Sequence, residues 1–258
     1  MFKIFRKTRK DLLGEGKTTR YFKYAIGEIV LVVIGILIAL QINNQNDLRK
    51  ERNKEVHYLS NIKNDLKINI VEMNKFIDAR SNSIQAATRV LEHFEGKPIT
   101  DTAAFNAEGF TVYDWQRFYQ SNNTFQELVN SGNLGLISND EIKNLLLDIE
   151  AQYTKIKSEE DHYRFDTETN LYEPLYALMD INTMIKSVEY YASKGQTGEE
   201  TILPDDFFTQ YLNNKNIKNG FTLTVYEYNV MNNQMAEMVK MSDQLILAID
   251  NEINADTQ

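Results

Sequence analysis

The chain has 258 residues, 25% charged and 42% hydrophobic, with 11 Gly, 3 Pro, no Cys and a formal net charge of −9. That is enough apolar material for a core in one or two domains. The missing cysteine excludes a disulfide framework, a thiolate zinc site and a cysteine nucleophile, and so few Gly and Pro argue against a sandwich or barrel, whose strands need frequent turns.

Charge is unevenly placed. Residues 1–23 hold eight basic side chains (Lys3, Arg6, Lys7, Arg9, Lys10, Lys17, Arg20 and Lys23) against Asp11 and Glu15, so a basic head precedes a strongly acidic body. Phosphate would repel the acidic bulk, which argues against general nucleic-acid binding. Residues 1–13 read in two ways: a short amphipathic helix in the headgroup layer, with Phe2, Phe5 and Leu12 on one side, or a basic tail that only sets topology. Gly16-Lys17-Thr18 is no phosphate-binding loop. Asp11 stands where that motif needs its first glycine, and no buried strand precedes it.

Every residue from Ile29 to Leu40 is apolar, and the run extends to Tyr24 and Ile42 with only Glu28 and Gln41 interrupting. About 20 such residues cross a bilayer core of about 30 Å. A basic cluster directly before the run, with no small-residue spacing for cleavage after it, predicts an uncleaved signal-anchor at 24–44. Basic flanks stay inside, so residues 1–23 are expected in the cytoplasm and residues 45–258 in the periplasm, the protein sitting in the inner membrane of a bacterium. Glu28, Gly35 and Ala39 share one helical face. Gly35 and Ala39 form a small-xxx-small pair suited to close helix association. Glu28 lies about one turn inside the boundary, where it reaches headgroups, pairs with a basic group, or serves association or an ion pathway.

The fold class predicted for the whole is all-α: one transmembrane helix followed by an antiparallel bundle with long, coiled-coil-like helices. Leu59, Ile62, Leu66, Ile70, Met73, Ile77, Ile84, Ala87, Leu91 and Phe94 recur at steps of three and four, Arg80 being the one polar member. Whether this helix continues out of the membrane or is jointed near Asn43-Asn44 stays open. Pro98 to about Val112 reads as a loop. Phe110, Tyr113, Trp115, Phe118, Tyr119 and Phe125 follow, a cluster that either caps a bundle core or forms a ligand cage, for which Tyr113, Trp115, Phe118 and Tyr119 are the candidates.

Thr124 to Glu127 fits a capping box with Thr124 as cap, and the helix is expected to stop near Ser131-Gly132. Asn139 or Asp140 caps the next helix, predicted to run to about Asn170 with Ile142, Leu145, Leu146, Ile149 and Tyr153 on its buried face. Pro174 opens another helix reaching Tyr191. Residues 195–204 form a second loop, Asp205 or Asp206 caps a short helix, and Asn219-Gly220 marks a turn. Residues 221–226 alternate like a strand, yet a lone strand leaves its backbone unpaired. The final helix, with Met231, Met235, Met238, Met241, Leu245 and Ile249 as core, is therefore extended back toward Phe221.

Chemical motifs are sparse. Glu159-Glu160-Asp161-His162 contains Glu-x-x-His, but a di-iron bundle needs a second copy, and Lys54 and Val90 stand in the matching places before His57 and His93. The segment reads as a solvated acidic face, so no metal and no cofactor is expected. Ser131 lacks a partnering His and Asp, and no enzyme activity is expected.

The segment from Tyr24 through Gly27-Glu28-Ile29 and Gly35-Ile36-Leu37-Ile38-Ala39-Leu40 to Asn43-Asn44 resembles an uncharacterised family of small bacterial single-pass membrane proteins. Thr124-Phe125-Gln126-Glu127-Leu128 through Ser131-Gly132-Asn133-Leu134 to Leu136-Ile137 resembles a second recurrent segment of it. Gln45 stands where that family usually has Trp, removing an interfacial aromatic. The resemblance implies architecture and location and carries no activity. The expected partners are the lipid bilayer and either a second copy, as a homo-oligomer, or another envelope protein. Three roles follow: an interaction or scaffold module; a ligand-sensing bundle, which needs a separate transducer because about 23 residues lie inside; and an ion pathway through Glu28.

Overall fold

The computed structural model describes residues 18–113, 116–200 and 206–255. Among them the chain is all-α, with no strand. It divides into two compact units, Met1–His57 and Tyr58–Gln258.

Helix α1, Thr18–Phe94, begins in the first unit. There the apolar run from Ile29 to Leu40 is exposed throughout, its large side chains from 45% at Ile34 to 64% at Ile29. The helix is long and apolar enough to cross a membrane, and none of its apolar window is buried. Such a surface is costly in water and at home in hydrocarbon. Beyond the apolar run the surface changes character. Asn43 and Lys50 both bond Asp47, at 3.2 and 3.0 Å, and Arg52 pairs with Glu55 at 2.6 Å. Pairs three and four residues apart lie on one helical face and support it in water. No joint interrupts the helix near Asn43-Asn44.

The second unit is built on three long helices: the remainder of α1, α4 (Asp140–Thr167) and α8 (Lys215–Ala255). Between them lie α2 (Thr102–Phe110), α3 (Asn123–Asn130), α5 (Glu173–Leu178), α6 (Ile181–Ala192) and α7 (Phe207–Leu212). Cross-links give the directions. Lys63 pairs with Asp250 and Lys218 with Glu95, so α8 is antiparallel to α1. Asn139 bonds Glu252 and Gln152 bonds the Gln234 carbonyl, so α8 is antiparallel to α4 as well.

The predicted faces are the buried ones. Leu59, Ile62, Leu66 and Met73 of α1, Ile142, Leu146 and Ile149 of α4, and Met235, Met238, Leu245 and Ile249 of α8 form one apolar core. A second core gathers Ala87, Val90, Phe105, Val112, Leu171, Leu175, Phe207, Tyr211, Ile217 and Phe221.

Several local expectations are corrected. Residues 102–110 are helix α2 rather than loop, because Asp101 accepts the Ala104 N–H at 2.9 Å and caps it. Thr124 is not a cap: α3 starts at Asn123, and the Thr124 hydroxyl instead donates to Asp65 at 2.9 Å. The helix stop is as expected, with Gly132 left-handed at φ 70°. Asn139 is the cap of α4, accepting the N–H groups of Glu141 and Ile142. The helix predicted from Pro174 to Tyr191 is broken at Met179, where Asp180 caps α6 by accepting the Asn182 N–H.

Asn219-Gly220 is not a turn. It lies inside α8, which starts at Lys215. Residues Glu168–Tyr172 form a π-helical turn between α4 and α5, with the Glu173 N–H reaching the Glu168 carbonyl. Widening the hydrogen-bond register there accommodates Pro174, which has no N–H to give. That turn pushes Leu171 against Gly220, where a Cβ would stand 2.4 Å from Leu171 Cδ2. The glycine is there for close approach, which a sequence shows no differently from a turn.

Candidate functional site

Between the two cores of the second unit lies a layer of polar and aromatic groups. Tyr163, Tyr228 and Met231 fill its centre, with Ile84 against them. The Tyr163 hydroxyl contacts the Thr224 hydroxyl at 3.2 Å and donates to the Val112 carbonyl at 3.3 Å. Burial raises the Tyr163 phenol above its ordinary range. Arg80, the polar exception in the α1 stripe, is itself buried. It pairs with Glu160 at 2.9 Å, and its guanidinium stands 5.2 Å from the Phe76 ring and 5.7 Å from that of Tyr228. Glu160 also accepts the Phe118 N–H at 3.0 Å and the Lys157 ammonium at 2.7 Å. Glu160 is thus 1% exposed and no part of a solvated face, contrary to expectation, whereas Asp161 beside it is exposed.

On one side of this layer His162, Asp166 and Glu227 come together. His162 and Asp166 lie one turn apart on α4, and the Glu227 carboxylate of α8 approaches the His162 ring at 3.5 Å. Glu227 is buried, and among the described residues no hydrogen-bond donor reaches either of its oxygens. Burial, then the neighbouring Asp166 and Glu159, push its pKa up to about 8. Searching for a second Glu-x-x-His could not have found this trio, because two of its members sit at i,i+4 spacing and the third comes from another helix.

A cavity of about 570 Å³ opens at the other core. Its walls are α2, α5, α6 and α7, and no lining residue is charged. Met184, Ser187 and Tyr191, at steps of three and four, present one face of α6 to it; Phe105 and Gly109 do so from α2, and Phe207 and Tyr211 from α7. A volume of this size and such a wall suit a small, largely apolar molecule. Two buried phenols are among its polar lining groups. Tyr211 is buried against Phe94, Phe105 and Phe207. The buried Tyr113 hydroxyl has the Tyr211 phenol as its polar neighbour. Desolvation raises both phenols well above their ordinary range, so both stay neutral donors. Tyr172 holds Tyr113 in place, donating to its carbonyl at 2.5 Å with the rings edge to face.

The three aromatic candidates among the described residues do not share one cage. Tyr113 lines the cavity. Phe118 is fully buried in the first core, edge-on to Phe76 and Tyr153. Tyr119 is 70% exposed, with the Lys157 ammonium 4.5 Å over its ring. Trp115 lies outside the described residues, as do residues 1–17 with their two alternative readings. In the first unit Gly35 and Ala39 are exposed and Glu28 is half-buried, and a Cβ at Gly35 would meet nothing within 4 Å. What sequence reasoning missed is the far wall: Met184, Ser187 and Tyr191 had a detectable helical spacing, but nothing tied them to Phe105 or Tyr211.

Helical chains with an exposed apolar span define a broad class, consistent with a membrane protein. More narrowly, a model described as a family of unknown function (DUF6090) matches residues 28–95. The match begins at Glu28, takes in the apolar run, and ends just after α1; the Thr124–Ile137 segment lies beyond it. No curated protein and no solved structure matches the chain.

Proposed function

We propose that the chain is a single-pass protein of the bacterial cytoplasmic membrane whose periplasmic helical domain is a binding module for a small, largely apolar, uncharged ligand, through which it engages a further envelope component. The observation that carries this reading is the 570 Å³ cavity, free of charged groups in its wall, with the buried Tyr113 and Tyr211 phenols side by side in its lining. A neutral ligand acceptor there would add a hydrogen bond to the apolar contact of the wall. Binding is favoured over catalysis because that wall offers no charged acid, base or activated nucleophile. Placement rests on the exposed apolar run and the basic residues before it. A scaffold role without a ligand would leave the cavity unexplained.

The role is tested with the full chain in detergent. Its melting temperature is followed against fatty acyl alcohols, acyl esters and neutral aromatics. A hit should lose its stabilisation in Gly109→Leu, which fills the space, and weaken in Tyr113→Phe. A panel that moves neither wild type nor variant would overturn the ligand. Location is tested separately: alkaline phosphatase fused after Gln258 should be active, and the protein should resist carbonate extraction. The open Gly35–Ala39 face is expected to seat a second copy, and Gly35→Leu should then lower the mass of the detergent-solubilised particle.

A further inference from the structure

We propose that His162, Asp166 and Glu227 form a binding site for one divalent transition-metal cation, distinct from the apolar cavity. One donor atom from each of the three lies within 4.8 Å of the others. Two ligands about 2.1 Å from a tetrahedral ion stand about 3.4 Å apart, and His162 Nδ1 to Glu227 Oε1 is already 3.5 Å. His162 Nε2 lies 3.9 Å from Asp166 Oδ2, so binding one ion requires the exposed ring to present a single nitrogen and the Asp166 side chain to move in beside it. The arrangement is built rather than incidental. Two ligands one turn apart on α4 face a third on the antiparallel α8, and rigid helices hold both backbones.

The independent observation is Glu227 itself. Its side chain is 3% exposed, its two oxygens have no hydrogen-bond donor among the described residues, and it points at the two other ligands. A buried carboxylate whose near neighbours are an imidazole at 3.5 Å and a second carboxyl group is expensive unless a proton or a cation compensates it. The fixed cations nearby are committed elsewhere: Arg117 pairs with Asp161, Arg164 with Glu168 and Lys157 with Glu160. Among the described residues no lysine or arginine pairs with Glu159, Asp166 or Glu227. The two carboxyl groups beside one imidazole therefore have no fixed cation to compete with an ion, and His162, 64% exposed, leaves it an entry path. One nitrogen and carboxylate oxygens suit Zn²⁺, Mn²⁺ or Co²⁺; the all-oxygen ions Mg²⁺ and Ca²⁺ gain nothing from the imidazole.

The test uses the tag-free full chain in detergent, stripped with chelator and titrated with Zn²⁺ by calorimetry, with Co²⁺ absorption as a spectroscopic check. One equivalent should bind and raise the melting temperature, and the Co²⁺ complex should show visible bands. His162→Ala, at an exposed position, and the isosteric Glu227→Gln should each lower affinity at least about tenfold while leaving the helical dichroism unchanged. His57→Ala and His93→Ala should bind as wild type does. No stoichiometric Zn²⁺ binding by wild type, or binding that survives both His162→Ala and Glu227→Gln, would overturn the site.

Discussion

Replacing Arg80 by Met keeps the aliphatic stem of the side chain and removes its charge from a place where only 6% of it reaches water. Glu160 is left with Lys157 and the Phe118 N–H, so its ionised form is under-compensated rather than abandoned. Breaking a buried pair from one side costs about 3–5 kcal/mol, and the surviving lysine places this case near the lower end, about 3 kcal/mol. Glu160→Gln is worse placed, because the buried Arg80 charge then has no anion beside it, only a neutral amide oxygen, the Met235 sulfur at 3.4 Å and two ring faces. For a chain of this size each kcal/mol lowers the melting temperature by about 2–4 °C, so the single variants should melt about 6–20 °C below wild type. The double variant removes both charges, and its loss should fall short of additivity by about 1–3 kcal/mol. Far-ultraviolet dichroism of the full chain in detergent reads all four proteins. Strict additivity, or an Arg80→Met protein melting with wild type, would show that the pair is not coupled inside a dry layer.

Gly220→Ala gains about 1 kcal/mol of helix propensity, yet its methyl meets Leu171 Cδ2 at 2.4 Å. An overpacking cost of about 1–3 kcal/mol should leave it net destabilised, and a more stable variant would refute the close approach. Because Glu227 titrates near 8 in the fold against an ordinary 4.5, the fold favours its protonated form. That contribution is complete below about pH 4.5 and is lost as pH rises through about 8, at about 1.4 kcal/mol for each pH unit crossed between the two values. In chelator, the slope of melting temperature against pH in that window should flatten in Glu227→Gln; an unchanged slope assigns the titration elsewhere. Asn139→Ala removes the cap of α4 and the bond to Glu252, and should cost about 1–2 kcal/mol by the same melting assay.

The long helices and their buried faces were legible because burial on one side of a 3.6-residue period leaves a mark in every turn. Leu59 to Met73 and Met231 to Ile249 carry that mark, and so does the exposed run at 29–40. Short helices leave less. α2 has a cap at Asp101 but no room for a repeating face, and α6 was fused to α5 because the break at Met179-Asp180 contains neither Gly nor Pro. Proximity in sequence is not proximity in the fold for the aromatic residues: Tyr113, Phe118 and Tyr119 lie in three different environments because residues 116–122, between α2 and α3, are not helical and have no fixed face. Nearly half of the cavity wall comes from α5, α6 and α7, far beyond Tyr113 in the chain, and only tertiary packing brings it against α2.

Of the buried polar groups the sequence marks only Arg80, which breaks the α1 stripe. Glu160 and Glu227 also fall on faces their helices bury, and all three belong to one layer of the bundle. Burying a charge is tolerated only where a partner is guaranteed. Arg80 and Glu160 satisfy each other within the chain, and a neutral, well-packed pair would serve the fold as well or better. Glu227 differs in kind, since no described residue donates to it. For stability alone, leucine or glutamine there would cost less. A carboxylate kept at that depth, beside an exposed imidazole and a second carboxylate, is accounted for by what enters from outside, and it is there that chemistry in this chain should first be sought.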